Sequence, residues 1–171
     1  QLLGASADEI VFNSGGTESD NTAIKGVALM HREKGNHIIT SKIEHPAVLE
    51  TCKYLEKEEG FNVTYLDVDE FGLISPELVE KSITPETVLI TIMYANNEVG
   101  TIQYISKIGE IARDNNVYFH TDACQAACLD LNVKNLKVDL MTLNGNKIHG
   151  PKGIGILYVK HGVNIQPLFY G

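Results

Sequence analysis

Tryptophan is absent from this 171-residue sequence and cysteine is scarce, with Cys52, Cys124 and Cys128 its only thiols. An odd number of cysteines without a paired framework excludes a disulfide-stapled secreted scaffold and fits a reducing cytosol. Cys124-x₃-Cys128 stands without a second pair at zinc spacing, so no metal centre is expected. Apolar runs never approach the roughly 20 residues of a spanning helix, and the opening residues do not read as a signal peptide; a cytoplasmic protein is expected. Basic residues are the minority: Lys and Arg total 14 against 22 Asp and Glu, a formal charge of −8. That balance excludes a nucleic-acid surface and a polybasic membrane contact, both of which need clustered cations.

Several nucleotide and metal signatures are also missing. Gly145-x₄-Gly150 is followed by Pro151, so it is no P-loop. Gly153-x-Gly155 lacks a third glycine and leads into a strand, so the dinucleotide fingerprint is absent. Asp67-x-Asp69-x-Phe71-Gly72 puts phenylalanine at a calcium-ligand position.

What is present is alternation. With 43% hydrophobic residues the chain can bury one substantial core. Periodicity predicts strands at Glu9–Asn13, His37–Ser41, Asn62–Asp67, Val88–Tyr94, Val117–Thr121, Val138–Leu143 and Gly155–Val159. Helices are predicted near Glu18–Lys34, Ala47–Glu59, Pro76–Ser82 and Ile105–Asn115, and Gln1-Leu-Leu-Gly-Ala5 reads as the tail of another. Ser75-Pro76 is a capping serine before a first-turn proline, and Gly35 and Gly60 read as helix stops. The pattern predicts a three-layer α/β/α fold with a mainly parallel sheet. The turn before Gly155 is too short for a parallel crossover, so the last strand is expected antiparallel to its predecessor.

Ligands of such sheets bind beyond the carboxyl ends of the strands. There the sequence carries Ser14-Gly-Gly-Thr-Glu-Ser-Asp-Asn21, Lys42-Ile-Glu-His45, Ala95-Asn-Asn-Glu-Val-Gly100, Asp122-Ala-Cys-Gln125 and Asn144-Gly-Asn-Lys147, while the opposite ends carry ordinary turn residues. Gly15-Gly16-Thr17 leads into a helix, where free N–H groups hold a phosphate, unless Thr17 is a plain cap. Asp122, ending an apolar strand, needs a cationic partner or caps the next segment. His45 can stack on a ring, move protons or serve structure alone. Asn97 and Gln125 are neutral amides able to meet a phenolic oxygen or a carboxylate. Lys147, in a turn at the end of a buried strand, is expected near apolar walls, where an amine loses its proton more readily and attacks carbonyls. Cys124 and Cys128 would share a face, and so the core, if their stretch were helical. An anion cradle, a buried carboxylate, an imidazole, neutral amides and a lysine together match the needs of pyridoxal 5'-phosphate.

Ser14–Asn21, Ile43-Glu-His-Pro46, Asn96-Asn-Glu-Val-Gly100, His120-Thr-Asp-Ala-Cys-Gln125 and Asn146-Lys-Ile-His-Gly-Pro-Lys-Gly153 resemble, in order and spacing, the cysteine desulfurases of the nitrogen-fixation and iron–sulfur-cluster type. These are class V aminotransferase-like enzymes of fold-type I. The resemblance implies that Lys147 carries the cofactor, that Asp122 partners its ring nitrogen, and that Gln125 bonds its phenolic oxygen. It further implies that His45 stacks on the ring and assists proton transfer, that Gly16 and Thr17 bind phosphate, and that Asn97 meets the substrate carboxylate or ring oxygen. L-cysteine, a sulfur-acceptor or scaffold protein and a homodimeric assembly are the implied partners. A selenocysteine lyase, another aminotransferase or a non-catalytic remnant are the alternatives.

Two departures from that family stand out. Asn144 and Asn146 occupy positions where the family places serine and histidine on the phosphate. The family's nucleophilic cysteine lies beyond the Lys147 segment, and none of the three cysteines here matches it. Residues 1–171 are therefore expected to be the central part of the cofactor-binding large domain, lacking the N-terminal arm and the C-terminal small domain and unable to complete sulfur transfer alone.

Overall fold

The computed structural model describes residues 2–170. Their strands are β1 (Ile10–Asn13), β2 (His37–Ser41), β3 (Asn62–Leu66), β4 (Thr87–Thr91), β5 (Tyr118–Asp122), β6 (Leu140–Asn144) and β7 (Gly155–Val159). Helices are α1 (Gly16–Met30), α2 (Pro46–Glu59), α3 (Pro76–Ser82), α4 (Ile105–Asp114) and α5 (Val133–Leu136). The strands form one sheet in the order β1-β7-β6-β5-β4-β2-β3. β7 runs antiparallel to both β6 and β1, and the other pairings are parallel.

Side-chain alternation along the strands builds two cores. Ile38, Leu89, Leu140 and Leu157 pack against α1 and α2 through Ile24, Val27, Val48 and Leu55. Their neighbours Ile39, Ile90, Met141 and Tyr158 point to the other face and pack against α3, α4 and α5 through Val79, Ile108 and Leu136. Strands buried on both faces read as continuous apolar runs, which is why they stand out in the sequence. The expected three-layer architecture is the observed one.

Local differences have local causes. Residues 2–5 are not helical; the Leu3 carbonyl instead accepts a hydrogen bond from the Val133 amide at 2.9 Å, tying the segment to α5, an element the pattern missed. Gln1 lies outside the described residues. Helix α1 stops at Met30, short of Lys34, and Gly35 serves close packing rather than a helix stop, since a Cβ there would sit 2.2 Å from the Glu86 carbonyl oxygen. Gly60 does end α2, at φ 74°. Ser75 caps α3, accepting from the Leu78 amide at 3.3 Å. The β4 ladder continues past Thr91, with the Ile92 and Tyr94 amides donating to His120 and Asp122 carbonyls.

Candidate active site

Every residue singled out at the strand ends lines one cavity. Gly16, Thr17, His45, Asn97, Asp122, Gln125, Asn144, Asn146 and Lys147 surround about 310 Å³ of space, together with Asp20, Met93, Ala95 and Cys124. That volume lies at the lower end of the roughly 300–1,000 Å³ usual for small-molecule sites.

The start of α1 forms one wall of the cavity. Gly15 sits at φ 154°, ψ −177°, a conformation that essentially only glycine adopts, and this turns the chain from β1 into the helix. Asn13 Oδ1 braces the turn by accepting from the Gly15 amide at 3.1 Å. Gly16 lies under Cys124, and a Cβ there would meet the Cys124 sulfur at 2.8 Å. The first helical bond runs from the Ser19 amide to the Gly15 carbonyl, so the amides of Gly16, Thr17 and Glu18 have no partner within the helix. Gly16 and Thr17 line the cavity, so their free amides, with the helix dipole behind them, can receive an anion there.

Across the cavity, Asp122 ends β5 with 7% of its surface exposed, and its Oδ1 accepts from the Cys124 amide at 2.9 Å. Residues 123–130 form turns rather than a helix. Cys128 is therefore exposed and Cys124 becomes a cavity wall, not the shared core face expected of them. His45 caps α2, its Nδ1 accepting from the Ala47 amide at 3.1 Å. Asn97 and Gln125 are exposed at the rim; the neighbouring Asn96 holds the loop of Asn97 through the Glu98 and Val99 amides. Lys147 lies in a 3-10 turn, Gly145–Ile148, that Asn144 caps by accepting from the Asn146 amide at 3.3 Å. Contrary to expectation it is exposed at the cavity edge, because the turn lifts it clear of the apolar layer.

Two carboxyl groups that the sequence pattern does not single out lie here, Asp20 in the cavity floor and Glu44 buried behind Met93. Asp20 is 1% exposed and its Oδ1 has no hydrogen-bond partner among the described residues. Burial, with the Asp122 charge nearby, holds its pKa well above the usual carboxylate range. Glu44 accepts from the Ser41 hydroxyl at 2.5 Å and the Met93 amide at 3.0 Å through Oε1, while Oε2 has no partner among the described residues. Burial raises its pKa to about 8. His120, fully buried, is lowered to about 3 by desolvation and stays neutral between the hydroxyls of Thr91 at 2.8 Å and Thr142 at 3.0 Å. The phase of α1 signals Asp20: it falls one turn after Gly16 on the buried stripe that continues through Ala23, Ile24 and Val27.

Relatives share this arrangement of sequence and fold. The chain is 57% identical over 170 residues to a protein named cysteine desulfurase IscS from Methanosarcina thermophila, covering 99% of this chain and 42% of that protein. It is 50% identical over 174 residues to a protein named probable cysteine desulfurase, mitochondrial, from Dictyostelium discoideum, covering 38% of it. Among solved structures, one titled SspA in complex with cysteine superposes with a TM-score of 0.95 at 49% identity, over 99% of this chain and 50% of that one. A NifS-like protein superposes equally, at 0.95 and 43% identity, over 47% of its chain. The present chain thus spans about two fifths of the curated relatives it matches. The pattern described as Aminotransferase class-V matches residues 1–171, and the chain belongs to that family.

Proposed function

We propose that the chain is the cofactor-binding part of a pyridoxal phosphate-dependent cysteine desulfurase, which converts L-cysteine to L-alanine and passes the sulfur to an enzyme persulfide. The observation that carries this reading is the convergence of residues from five separate strand ends on one cavity. Its donor set fits the cofactor: unpaired amides at a helix start for the phosphate, a buried carboxylate for a protonated ring nitrogen, and a lysine at the mouth. When bound, the cofactor supplies an electron sink for charge developing at the substrate's Cα.

The chain's own residues have distinct tasks. Gly16 and Thr17 hold the phosphate through their amides, and Asn144 and Asn146 offer neutral donors beside them. Asp122, fixed by the Cys124 amide, keeps a proton on the ring nitrogen through charge and hydrogen bonding. Gln125 and Asn97 orient polar edges of cofactor and substrate from the rim. His45, anchored as the α2 cap, presents its ring to stack and to move protons. Lys147 Nζ would hold the cofactor and would move the α-proton of the substrate.

Sulfur transfer needs a thiolate at the cavity, and Cys128, though exposed, does not line it. Cys52 is in the core, and burial pushes the thiols of Cys52 and Cys124 strongly upward. We therefore assign the persulfide cysteine, the substrate-binding small domain and the homodimer contact to other parts of the whole protein, with residues 1–171 as the centre of its large domain. A sulfur-acceptor or scaffold protein and a reducing cytosolic compartment complete the proposal. Adding pyridoxal phosphate should produce a visible absorption band that is lost entirely in Lys147→Ala. No band from the parent chain would contradict cofactor binding.

A further inference from the structure

Asp20 is the one cavity-lining carboxyl without a task in that chemistry. It projects from α1 into the floor, and its unpartnered Oδ1 lies 3.7 Å from His120 Nε2. The groups that face it come from every neighbouring element. Asp122 ends β5, Glu44 follows β2, Cys124 follows β5, and Thr142 on β6 places its hydroxyl beside both Asp20 and His120. His120 brings no charge, since its buried ring is neutral, and Lys147 stands out at the rim. Two ionised carboxylates in so dry a floor would repel each other without a cation to separate them. The bonds joining Thr91, His120 and Thr142 close without charge, since a neutral imidazole has one donor and one acceptor and each threonine hydroxyl can both give and receive.

We propose that Asp20 is a positioning residue for the cofactor site: a carboxylic acid that keeps its proton and joins Thr142, His120 and Thr91 in a neutral hydrogen-bonded floor, leaving Asp122 as the single anion beneath the ring nitrogen. The inference rests on reading the cavity as a pyridoxal phosphate site. Burial, first, and the charges of Asp122 and Glu44 act on Asp20 in the direction this arrangement requires, against a smaller opposing effect of the Thr142 hydroxyl. A second anion on the floor would raise the proton affinity of Asp122 and compete with it for a further proton. A protonated Asp20 removes that competitor, and its hydroxyl remains available to donate toward Asp122 or Thr142.

The test has two arms in the full chain. Without cofactor, carboxyl-¹³C aspartate is titrated by NMR, with the Asp20 resonance identified by its loss in Asp20→Asn. The resonance should remain that of a protonated acid at neutral pH; ionisation in the ordinary range near pH ~4 overturns the proposal. With cofactor, ring-¹⁵N pyridoxal phosphate reports the ring proton. Asp20→Asn, which mimics the neutral acid, should keep that proton and hold affinity within about twofold, whereas Asp20→Leu should weaken binding about tenfold or more. If Leu prevents folding, Thr142→Val removes the bridging hydroxyl alone and should weaken binding in the same direction. An asparagine that strips the ring proton, or a leucine or valine that binds as the parent does, overturns the proposal. Failure of the parent chain to bind cofactor would sink the functional reading, and the carboxyl titration would still decide the state of Asp20.

Discussion

The two ends of the sheet make an instructive pair. At the amino ends of the parallel strands lies an open groove of about 550 Å³, larger than the 310 Å³ cavity at the carboxyl ends and rich in cations: Lys34, Arg113, Lys134, Lys137 and Lys160. Most of these cations are already engaged. Lys137 bonds Glu110, Lys160 meets Asp139 at 2.9 Å, Arg113 meets Asp114 at 3.2 Å, and Lys34 sits over the Tyr118 ring. Arg113 and Lys134 lie in the last turns of α4 and α5, and Lys137 follows α5, where positive charge complements the helix dipole. The smaller cavity has the opposite character: unpaired amides at a helix start, and a lining carboxyl, Asp20, whose Oδ1 has no partner among the described residues. Size and charge alone point to the amino end. Unspent bonding capacity points to the carboxyl end, the one proposed as the cofactor site.

Three variants sharpen this contrast. Glu44→Gln should have the largest effect, and on stability. Glu44 has a folded pKa near 8 against 4.5 for the ordinary group, so the native state holds a proton that the unfolded state releases. Its contribution is present below pH 4.5 and is lost as pH rises through 8. Glutamine keeps the acceptor for Ser41 and Met93 without the titration, so denaturant unfolding at pH 9 should show a gain on the order of a few kcal/mol that vanishes at pH 4. An equal gain at both pH values would mean that Glu44 acts through packing alone. Asp122→Ala should weaken pyridoxal phosphate binding by about 10–100-fold, the scale of one hydrogen bond to a charged group, measured by fluorescence or absorbance titration. Unchanged affinity would remove Asp122 from the site. Asn144→Ser with Asn146→His, which restores the donors usual in the resembling family, should tighten binding by up to about tenfold. If affinity does not move, the asparagines already serve the phosphate fully.

Much of the fold and the cavity is legible in the sequence, and the reasons are physical. Central strands such as β2 and β4 are buried on both faces, so His37–Ser41 and Val88–Tyr94 announce themselves as apolar runs. The cavity residues are legible because open sheets collect ligand groups at one end. Asp20 and Glu44 are hidden because acidic residues in helix α1 and beside His45 read as solvated; only helix phase and tertiary packing bury them. The turns after Asp122 escape notice because alanine and cysteine carry no turn signal, which sends Cys124 to the core in a reading by periodicity. The exposure of Lys147 depends on a 3-10 turn capped by Asn144, a detail that periodicity does not carry.

The most direct test of the central claim traps the cofactor chemically. The chain is incubated with one equivalent of pyridoxal phosphate, reduced with borohydride, digested and mapped by mass spectrometry. The pyridoxyl label should fall on Lys147 alone and shift to no other lysine in the Asp122→Ala variant, where its yield should drop. A label spread over surface lysines such as Lys137 and Lys160, with Lys147 no more modified than they are, would contradict the assignment of the strand-end cavity as the cofactor site.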